Sequence, residues 1–254
     1  MGATGALDRQ RRRAADATFP VIEIFGPTVQ GEGPDAGRPA YFVRFGGCDF
    51  RCSWCDSMYA VDPAAVRSNA ERLSVDEVQE RLSSLEAGPS LVVLSGGNPA
   101  LLGLGELVER LQAAGAEVAI ETQGSVWREW LAVANRLVVS PKGPSSGMDT
   151  PEHRAQFAQF MARAAAASAA HCLKLVVFDD RDLDYAAEIT AQYPDVPAFV
   201  SVGSDVGLPD EETRAGLLRR YRWLCEAVAR RPEFSRVRVL PQLHVLAWGT
   251  ARGV

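Results

Sequence analysis

Short runs of β-branched and aromatic residues alternate along the chain with longer segments in which apolar side chains recur every three or four positions. Runs of the first kind predict strands. They cover residues 21–25, 40–45, 91–94, 118–121, 137–140, 173–178, 198–202 and 237–240. Strands and helices that alternate in this way predict an α/β fold with a mostly parallel sheet, either open or curled into a barrel.

The segments between the strands predict helices, and two of them carry end signals. Ser74 is followed three residues later by Glu77, which forms a capping box at a helix start. An apolar stripe that begins at Leu101 and ends at Leu111 is followed by Gly115, a residue suited to a helix C-terminus. Further helices are predicted over residues 152–170, 182–192 and 211–230.

Residues 1–18 have few apolar side chains and a short arginine run, which predicts a flexible tail and no targeting signal. No linker or break in composition interrupts residues 19–254, so we expect a single domain there. The chain contains no apolar run of about 20 residues, and no membrane association is expected.

Charge and cysteine content narrow the function further. The chain has 27 Lys and Arg residues against 32 Asp and Glu, a net charge of −5. This balance argues against nucleic acid as a partner, because affinity for the phosphate backbone comes from clustered cationic charge. The five cysteines are an odd number, and no secretory signal is recognisable. We therefore expect the reducing cytoplasm and no disulfide framework.

Polar and glycine-rich segments directly follow most of the predicted strands. In parallel α/β folds the carboxyl ends of the strands form the ligand-binding rim. We therefore expect these segments to converge on one site. They are GPTVQGEG, GGCDFRCSWC, SGGNP, ETQG, SPKGPSSG, SVGSD and LPQLH.

The second of these segments places Cys48, Cys52 and Cys55 on one short loop after two glycines. Three soft thiolate ligands this close suit an iron–sulfur cluster or zinc. A structural zinc site needs four ligands, and a second Cys-x2-Cys pair is absent from the sequence. With three protein ligands, a four-iron cluster keeps one iron open to an exogenous ligand.

The Cys-x3-Cys-x2-Cys loop, with Trp54 before the last cysteine, resembles the signature of radical S-adenosylmethionine (SAM) enzymes. The resemblance implies an abridged, partial TIM-like βα barrel and a 4Fe-4S cluster whose open iron binds the amino and carboxylate groups of SAM. An electron from the cluster then cleaves the sulfonium to a 5′-deoxyadenosyl radical. Ser95-Gly96-Gly97-Asn98-Pro99 resembles the GGEP motif of this superfamily, with Asn98 in place of Glu.

The whole set of motifs narrows the resemblance. From about residue 21 onward, EIFGPTVQGEG, FVRFGGCDFRCSWCDS, LSGGNPALL, ETQG, SPK, LKLVVF and LPQLHVLAWG are similar to segments of the 7-carboxy-7-deazaguanine synthases. This implies a radical SAM catalytic domain and a carbon–nitrogen lyase of queuosine and deazapurine biosynthesis. Such an enzyme contracts 6-carboxy-5,6,7,8-tetrahydropterin to 7-carboxy-7-deazaguanine, with hydrogen abstraction from C6 and loss of ammonia. The resemblance also implies a homodimer and an electron donor such as flavodoxin or ferredoxin.

The same resemblance assigns the pterin-binding residues. It places the substrate against Val29, Gln30, Gly31, Glu32, Arg44, Ser95 and His244. Arg44 also has an independent argument, because a guanidinium at the end of an apolar strand suits bidentate carboxylate recognition. The amide of Gln30 can match a pterin edge, and Glu32 can accept from the exocyclic amine.

The contacts to SAM and magnesium follow from the resemblance too. Ser57 stands where the family uses Thr to bind Mg²⁺, and its hydroxyl keeps a hard oxygen ligand. The implied SAM contacts are Trp54, Gly97, Asn98, Glu121, Gln123, Ser140, Lys142, Ser201, Val202, Gly203 and Ser204. No residue is assigned as a proton acceptor. Lys174 lies inside an apolar strand, where it either orients a carboxylate such as Glu121 or extends to the surface.

Two other functions share part of the pattern. A small activase that makes a glycyl radical in a partner enzyme would share the cysteine loop and the length, but would have no need of the QGEG and LPQLH segments. A non-enzymatic zinc-binding protein would share only the thiols.

Overall fold

A computed structural model describes residues 18–86, 88, 90–205 and 207–254. The predicted tail, residues 1–18, lies outside the described residues apart from Thr18, and a single domain over residues 19–254 stays a prediction. The strands are β1 (Phe19–Val29), β2 (Pro39–Phe45), β3 (Glu71–Leu73), β4 (Leu91–Gly96), β5 (Glu117–Thr122), β6 (Arg136–Val139), β7 (Ala170–Val177), β8 (Ala198–Val202) and β9 (Arg238–Leu240).

These strands form one nine-stranded sheet in the order β3-β1-β2-β4-β5-β6-β7-β8-β9. From β2 onward each strand in this order is parallel to the next, whereas β1 is antiparallel to both β2 and β3. The predicted α/β class with a mostly parallel sheet is confirmed. The sequence did not predict β3, because its three residues include one buried side chain, Leu73, and no apolar run.

The helices are α1 (Met58–Val61), α2 (Pro63–Asn69), α3 (Val75–Ser84), α4 (Gly105–Ala113), α5 (Pro151–Ala166), α6 (Asp180–Gln192), α7 (Asp210–Ala229) and α8 (Leu243–Trp248). Between β5 and β6 the chain forms only a short 3-10 helix, Glu129–Val133. Within the described ranges, none of the helices has the length and apolar character that a membrane crossing requires.

The predicted helix signals are mostly confirmed. Ser74 and Glu77 form a capping box at the start of α3. Gly115 follows the end of α4 with a φ of +91°, a left-handed conformation that favours glycine. The apolar stripe starts earlier than the helix, however. Leu101 belongs to a separate 3-10 helix that Asn98 caps, so α4 begins only at Gly105.

The two faces of the sheet have different surroundings. Val92 and Leu94 of β4 belong to the large apolar cluster shared with the helices, including Leu107 of α4. The alternate residues Leu91 and Val93 belong to a small cluster on the other face. The same alternation separates Lys174 of β7 from its apolar neighbours. The face away from the large cluster therefore carries small apolar clusters and the side chain of Lys174.

Candidate active site

A cavity of about 540 Å³ is bounded by residues from all the polar segments that the sequence singled out. Its volume lies in the range of small-molecule sites. At one end are the cysteine loop and the segments after β4 and β6, and at the other are the segment after β1 and the start of α8. The expectation that these segments meet around one site is therefore met.

The segment after β1 reaches the cavity by another route than expected. Because β1 is antiparallel to β2, its last residue, Val29, pairs with Pro39, the first residue of β2. The segment therefore does not share a rim with the carboxyl ends of the parallel strands. It instead crosses toward the far strands, where the carbonyl of Gly31 accepts a hydrogen bond from the amide of Leu243 at 3.1 Å.

The three loop cysteines all line the cavity. Burial raises the pKa of Cys48 and of Cys55 to about 11, and also raises the pKa of Cys52. These thiols therefore stay protonated at neutral pH until a metal displaces the protons. No group of three or more His, Cys, Asp or Glu side chains in the described ranges has the spacing to hold one metal ion. As a donor set, three soft sulfur ligands on one loop fit an iron–sulfur cluster.

The glycines of the SGGNP segment fit closely against the cysteine loop. The amide of Gly97 donates to the carbonyl of Phe45 at 2.9 Å, and the amide of Asn98 donates to the carbonyl of Gly47 at 2.8 Å. A Cβ at Gly97 would lie 2.0 Å from the carbonyl oxygen of Gly47. Only glycine allows this approach, which fixes the two segments relative to each other.

Replacing Gly97 with alanine is expected to push these two segments apart. We expect Gly97→Ala to lower the free energy of unfolding by about 1 to 3 kcal/mol and to weaken SAM binding. Chemical denaturation and equilibrium dialysis under anaerobic conditions measure the two effects. Gly103→Ala is the matched control, because a Cβ there meets nothing within 4 Å. Equal effects of the two substitutions would contradict the packing argument.

An aromatic wall stands beside the cysteine loop. The ring centroids of Trp54 and Phe178 are 5.1 Å apart, and Nε1 of Trp54 donates to Oγ of Ser145 at 2.8 Å. Nζ of Lys142 lies 5.8 Å from the Trp54 ring centroid and donates to Oγ of Ser140 at 2.9 Å. An apolar wall with one cation beside it suits a flat heteroaromatic base joined to an anionic group.

Glu32 is the centre of a charged network at the opposite end. Its carboxylate lies 2.9 Å from Nζ of Lys174, which is also 3.6 Å from the carboxylate of Glu121. Burial raises the pKa of Glu32, but the charge and hydrogen bond of Lys174, together with the other polar groups around the carboxylate, lower it overall to about 2. Glu32 is thus an ionised hydrogen-bond acceptor at neutral pH. Of the alternatives for Lys174, the structure shows the buried, ion-paired one.

Gln30 and His244 complete this end of the cavity. Nε2 of Gln30 donates to Glu121 at 3.3 Å, and its Oε1 accepts from the amide of Glu32 at 3.1 Å. Nδ1 of His244 packs against Gly31, where a Cβ would lie only 2.1 Å away. The amide, the carboxylate and the imidazole thus present several polar atoms within a small region.

Arg44 lies at the end of β2 with one edge already engaged. Its Nε is 2.6 Å from the carboxylate of Glu23, and its Nη1 donates to Oγ of Ser57 at 3.4 Å. Oγ of Ser57 in turn donates to Oδ1 of Asp56 at 2.8 Å. Phe25 and Phe42 stack 5.0 Å apart and also line the cavity, where they offer an apolar surface to a flat ring.

Most of the predicted site residues line the cavity, and three do not. Asn98 is buried outside it, where its side chain donates to Asp49 and Ser125 and accepts from Thr122. Ser201 lies behind Glu32, to which its Oγ donates at 3.4 Å, and Val202 is buried in the main core. Asn98 and Ser201 are therefore placed to support residues that line the cavity.

Sequence reasoning missed Gln242 and the last segment, Gly249–Val254, which also line the cavity. Oε1 of Gln242 and Oγ of Ser95 are both buried without a hydrogen-bond partner among the described residues. Buried polar atoms without partners are uncommon, and both of these residues line the cavity. The LPQLH motif was the available signal for Gln242.

Comparisons with known proteins show which families and folds this chain resembles. Residues 42–170, slightly more than half of the chain, match the profile of the Radical SAM superfamily. The chain is 40% identical over 240 residues to the 7-carboxy-7-deazaguanine synthase of Bacillus cereus, which covers 93% of this chain and 99% of that protein. The protein of the same name from Bacillus subtilis is 41% identical, with 93% and 98% covered.

The crystal structure of QueE from Escherichia coli has a similar fold, with a TM-score of 0.60 and 20% identity over 88% of this chain and 94% of that one. This likeness, together with the superfamily match, confirms the expected partial TIM-like barrel. The identity to the two Bacillus proteins extends over nearly the whole of each sequence. The chain therefore belongs to the 7-carboxy-7-deazaguanine synthase family of the radical SAM superfamily.

Proposed function

We propose that this enzyme converts 6-carboxy-5,6,7,8-tetrahydropterin to 7-carboxy-7-deazaguanine with loss of ammonia, as a carbon–nitrogen lyase. One observation carries the proposal. A single cavity joins three loop thiols at one end to an ionised acceptor and an amide at the other, and the guanidinium of Arg44, which contacts Glu23 and Ser57, also lines it. A site for SAM chemistry is thereby continuous with a site suited to a flat, polar, carboxylated ring.

The residues at the first end fit the cofactors of the family. Cys48, Cys52 and Cys55 would hold the 4Fe-4S cluster, while the backbone at Gly97 and the Trp54–Phe178 wall would hold SAM. When bound, the cluster and SAM supply a one-electron bond cleavage and hydrogen abstraction that no side chain can provide. The protein positions the reactants and keeps water away from them.

At the second end the side chains orient the pterin. Gln30 donates and accepts at one edge, and Glu32, kept ionised by Lys174, accepts from N–H groups of the ring. Arg44 faces the substrate carboxylate, with His244 close to the same ring. The stacked rings of Phe25 and Phe42 offer the pterin an apolar surface that excludes water, so that nearby polar contacts act in a medium of low dielectric.

Several finer features belong to the same proposal. Ser57 with the neighbouring Asp56 carboxylate would bind Mg²⁺, since both offer hard oxygen atoms. The family resemblance supports a homodimer and reduction by a flavodoxin or ferredoxin. All five cysteines are free thiols, which supports a cytoplasmic location.

Product analysis tests the reaction. Reconstituted enzyme incubated anaerobically with SAM, a reductant, Mg²⁺ and the carboxytetrahydropterin is expected to form 7-carboxy-7-deazaguanine and ammonia in equal amounts, measured by mass spectrometry and an ammonia assay. An incubation without the pterin is the control. Deoxyadenosine formation without the deazapurine would contradict the proposal and would favour the activase.

A further inference from the structure

The last segment, Gly249–Val254, lines the cavity and is anchored by a contact with the start of α7. The carboxylate of Asp210 accepts hydrogen bonds from the amide of Thr250 at 2.9 Å and from its Oγ1 at 2.7 Å. Gly249 has a φ of +65°, and a Cβ there would lie 2.4 Å from Cγ of Asp210. Glycine is therefore needed for the turn that directs the segment back across the cavity.

This turn brings Arg252 to the Arg44 end of the cavity. Cζ of Arg252 lies 3.6 Å from the ring centroid of Tyr59, and its Nη2 lies 3.5 Å from Oε2 of Glu23. Both Arg44 and Arg252 line the cavity, and half of the Arg252 side chain remains exposed. Its guanidinium is thus fixed by a ring and a carboxylate while keeping donors free for a ligand.

The charges around Glu23 show that Arg252 adds a positive charge to this part of the cavity. Glu23 accepts from Nε of Arg44 at 2.6 Å and from the hydroxyl of Tyr59 at 3.2 Å. Arg44 and Glu23 alone form a neutral pair, which attracts a third charged group only weakly. The Asp56 carboxylate also attracts Arg44, and Mg²⁺ at the proposed site would offset its charge. With Arg252 the three-residue group has one net positive charge.

We infer that Arg252 is a second guanidinium of the substrate-carboxylate site and determines the preference for a carboxylated pterin. Arg44 and Arg252 share Glu23 on one side and bind the substrate carboxylate on the other. The inference rests on the proposed function, because it takes the carboxytetrahydropterin as the ligand. It assigns a specificity role to a residue of the last segment, Gly249–Val254.

Binding measurements with two ligands test the inference. Reconstituted enzyme with SAM is dialysed anaerobically against 6-carboxy-5,6,7,8-tetrahydropterin and, separately, against tetrahydropterin without the carboxylate. We expect Arg252→Gln to weaken binding of the carboxylated pterin by about tenfold and to leave the other ligand unaffected. Arg252→Lys is expected to recover part of the loss. Arg222→Gln is the control, because Arg222 on α7 is mostly exposed and, among the residues the structure describes, forms an ion pair only with Glu226.

The outcomes separate this inference from the proposed function. If wild-type enzyme prefers the carboxylated pterin and Arg252→Gln keeps the same preference, Arg252 is not a specificity residue and the proposed function stands. Equal weakening of both ligands would likewise overturn the inference, since it would indicate a structural role. If the wild-type enzyme binds neither pterin, the proposed function and the inference both fail.

Discussion

Cys52→Ala is expected to abolish cluster assembly and with it the reaction. Anaerobic reconstitution of the wild-type protein should give about four irons per chain and a broad absorbance at about 400 nm. The variant keeps two thiols on the loop, Cys48 and Cys55, too few to hold the cluster against competing thiols in solution. We expect iron content near zero, no absorbance band, and product formation at background level.

A matched cysteine substitution separates this effect from general damage. Cys225→Ala changes a half-buried thiol on α7 that does not line the cavity, so iron content and product formation should match the wild type. Circular dichroism of Cys52→Ala must retain the wild-type helix content, because Cys52 is itself buried. A Cys52→Ala protein that still binds four irons would refute the assignment. Uptake of zinc and no iron by the wild type would support the zinc-binding alternative.

The parts of this site that were predictable from sequence are those encoded locally. The spacing of Cys48, Cys52 and Cys55 places three thiols on one loop, and the β-branched runs locate the strands that carry the other segments. Ser74 and Glu77 likewise mark a helix start through contacts three residues apart. Such signals survive in a single sequence because the interacting groups are close along the chain.

The remaining features depend on partners far apart in sequence. Lys174 and Glu32 are separated by 142 residues, and Thr250 meets Asp210 across 40 residues. Local periodicity does not indicate such pairs. The sequence therefore left open whether Lys174 is ion-paired or extends to the surface, and it gave no sign of Arg252. The sequence also misplaced the QGEG segment at the carboxyl ends of the parallel strands. β-branched runs do not reveal strand direction, and β1 is antiparallel to its neighbours.

Lys174→Met is expected to destabilise the fold and to prevent substrate binding. Nζ of Lys174 is the cation between Glu32 and Glu121, and the side chain is only 10% exposed. The substitution keeps most of the length of the side chain but leaves two largely buried carboxylates without the cation between them. Breaking a buried pair by removing one partner costs about 3 to 5 kcal/mol. Chemical denaturation of the reconstituted protein measures this loss.

The effect should also depend on pH in a defined direction. In the wild type the pKa of Glu32 falls from 4.5 to about 2, so the stabilisation by Lys174 is complete above pH 4.5 and is lost as the pH falls toward 2. Without Lys174 the folded-state pKa of Glu32 should rise. As the pH falls, the gap in unfolding free energy between wild type and variant should therefore begin to narrow at the raised pKa of Glu32 in the variant, and should continue to narrow toward pH 2.

A double variant decides whether the cost comes from the unpaired charge. Glu32→Gln with Lys174→Met removes both members of the closer pair, and an amide at position 32 can still hydrogen-bond to Ser201 and Gln242. We expect the double variant to be more stable than Lys174→Met alone, because an uncharged amide needs no counter-ion. Pterin binding should remain weak, since the ionised acceptor is gone. Equal stability of the single and double variants would show that Lys174 contributes by packing and that Glu32 is not its electrostatic partner.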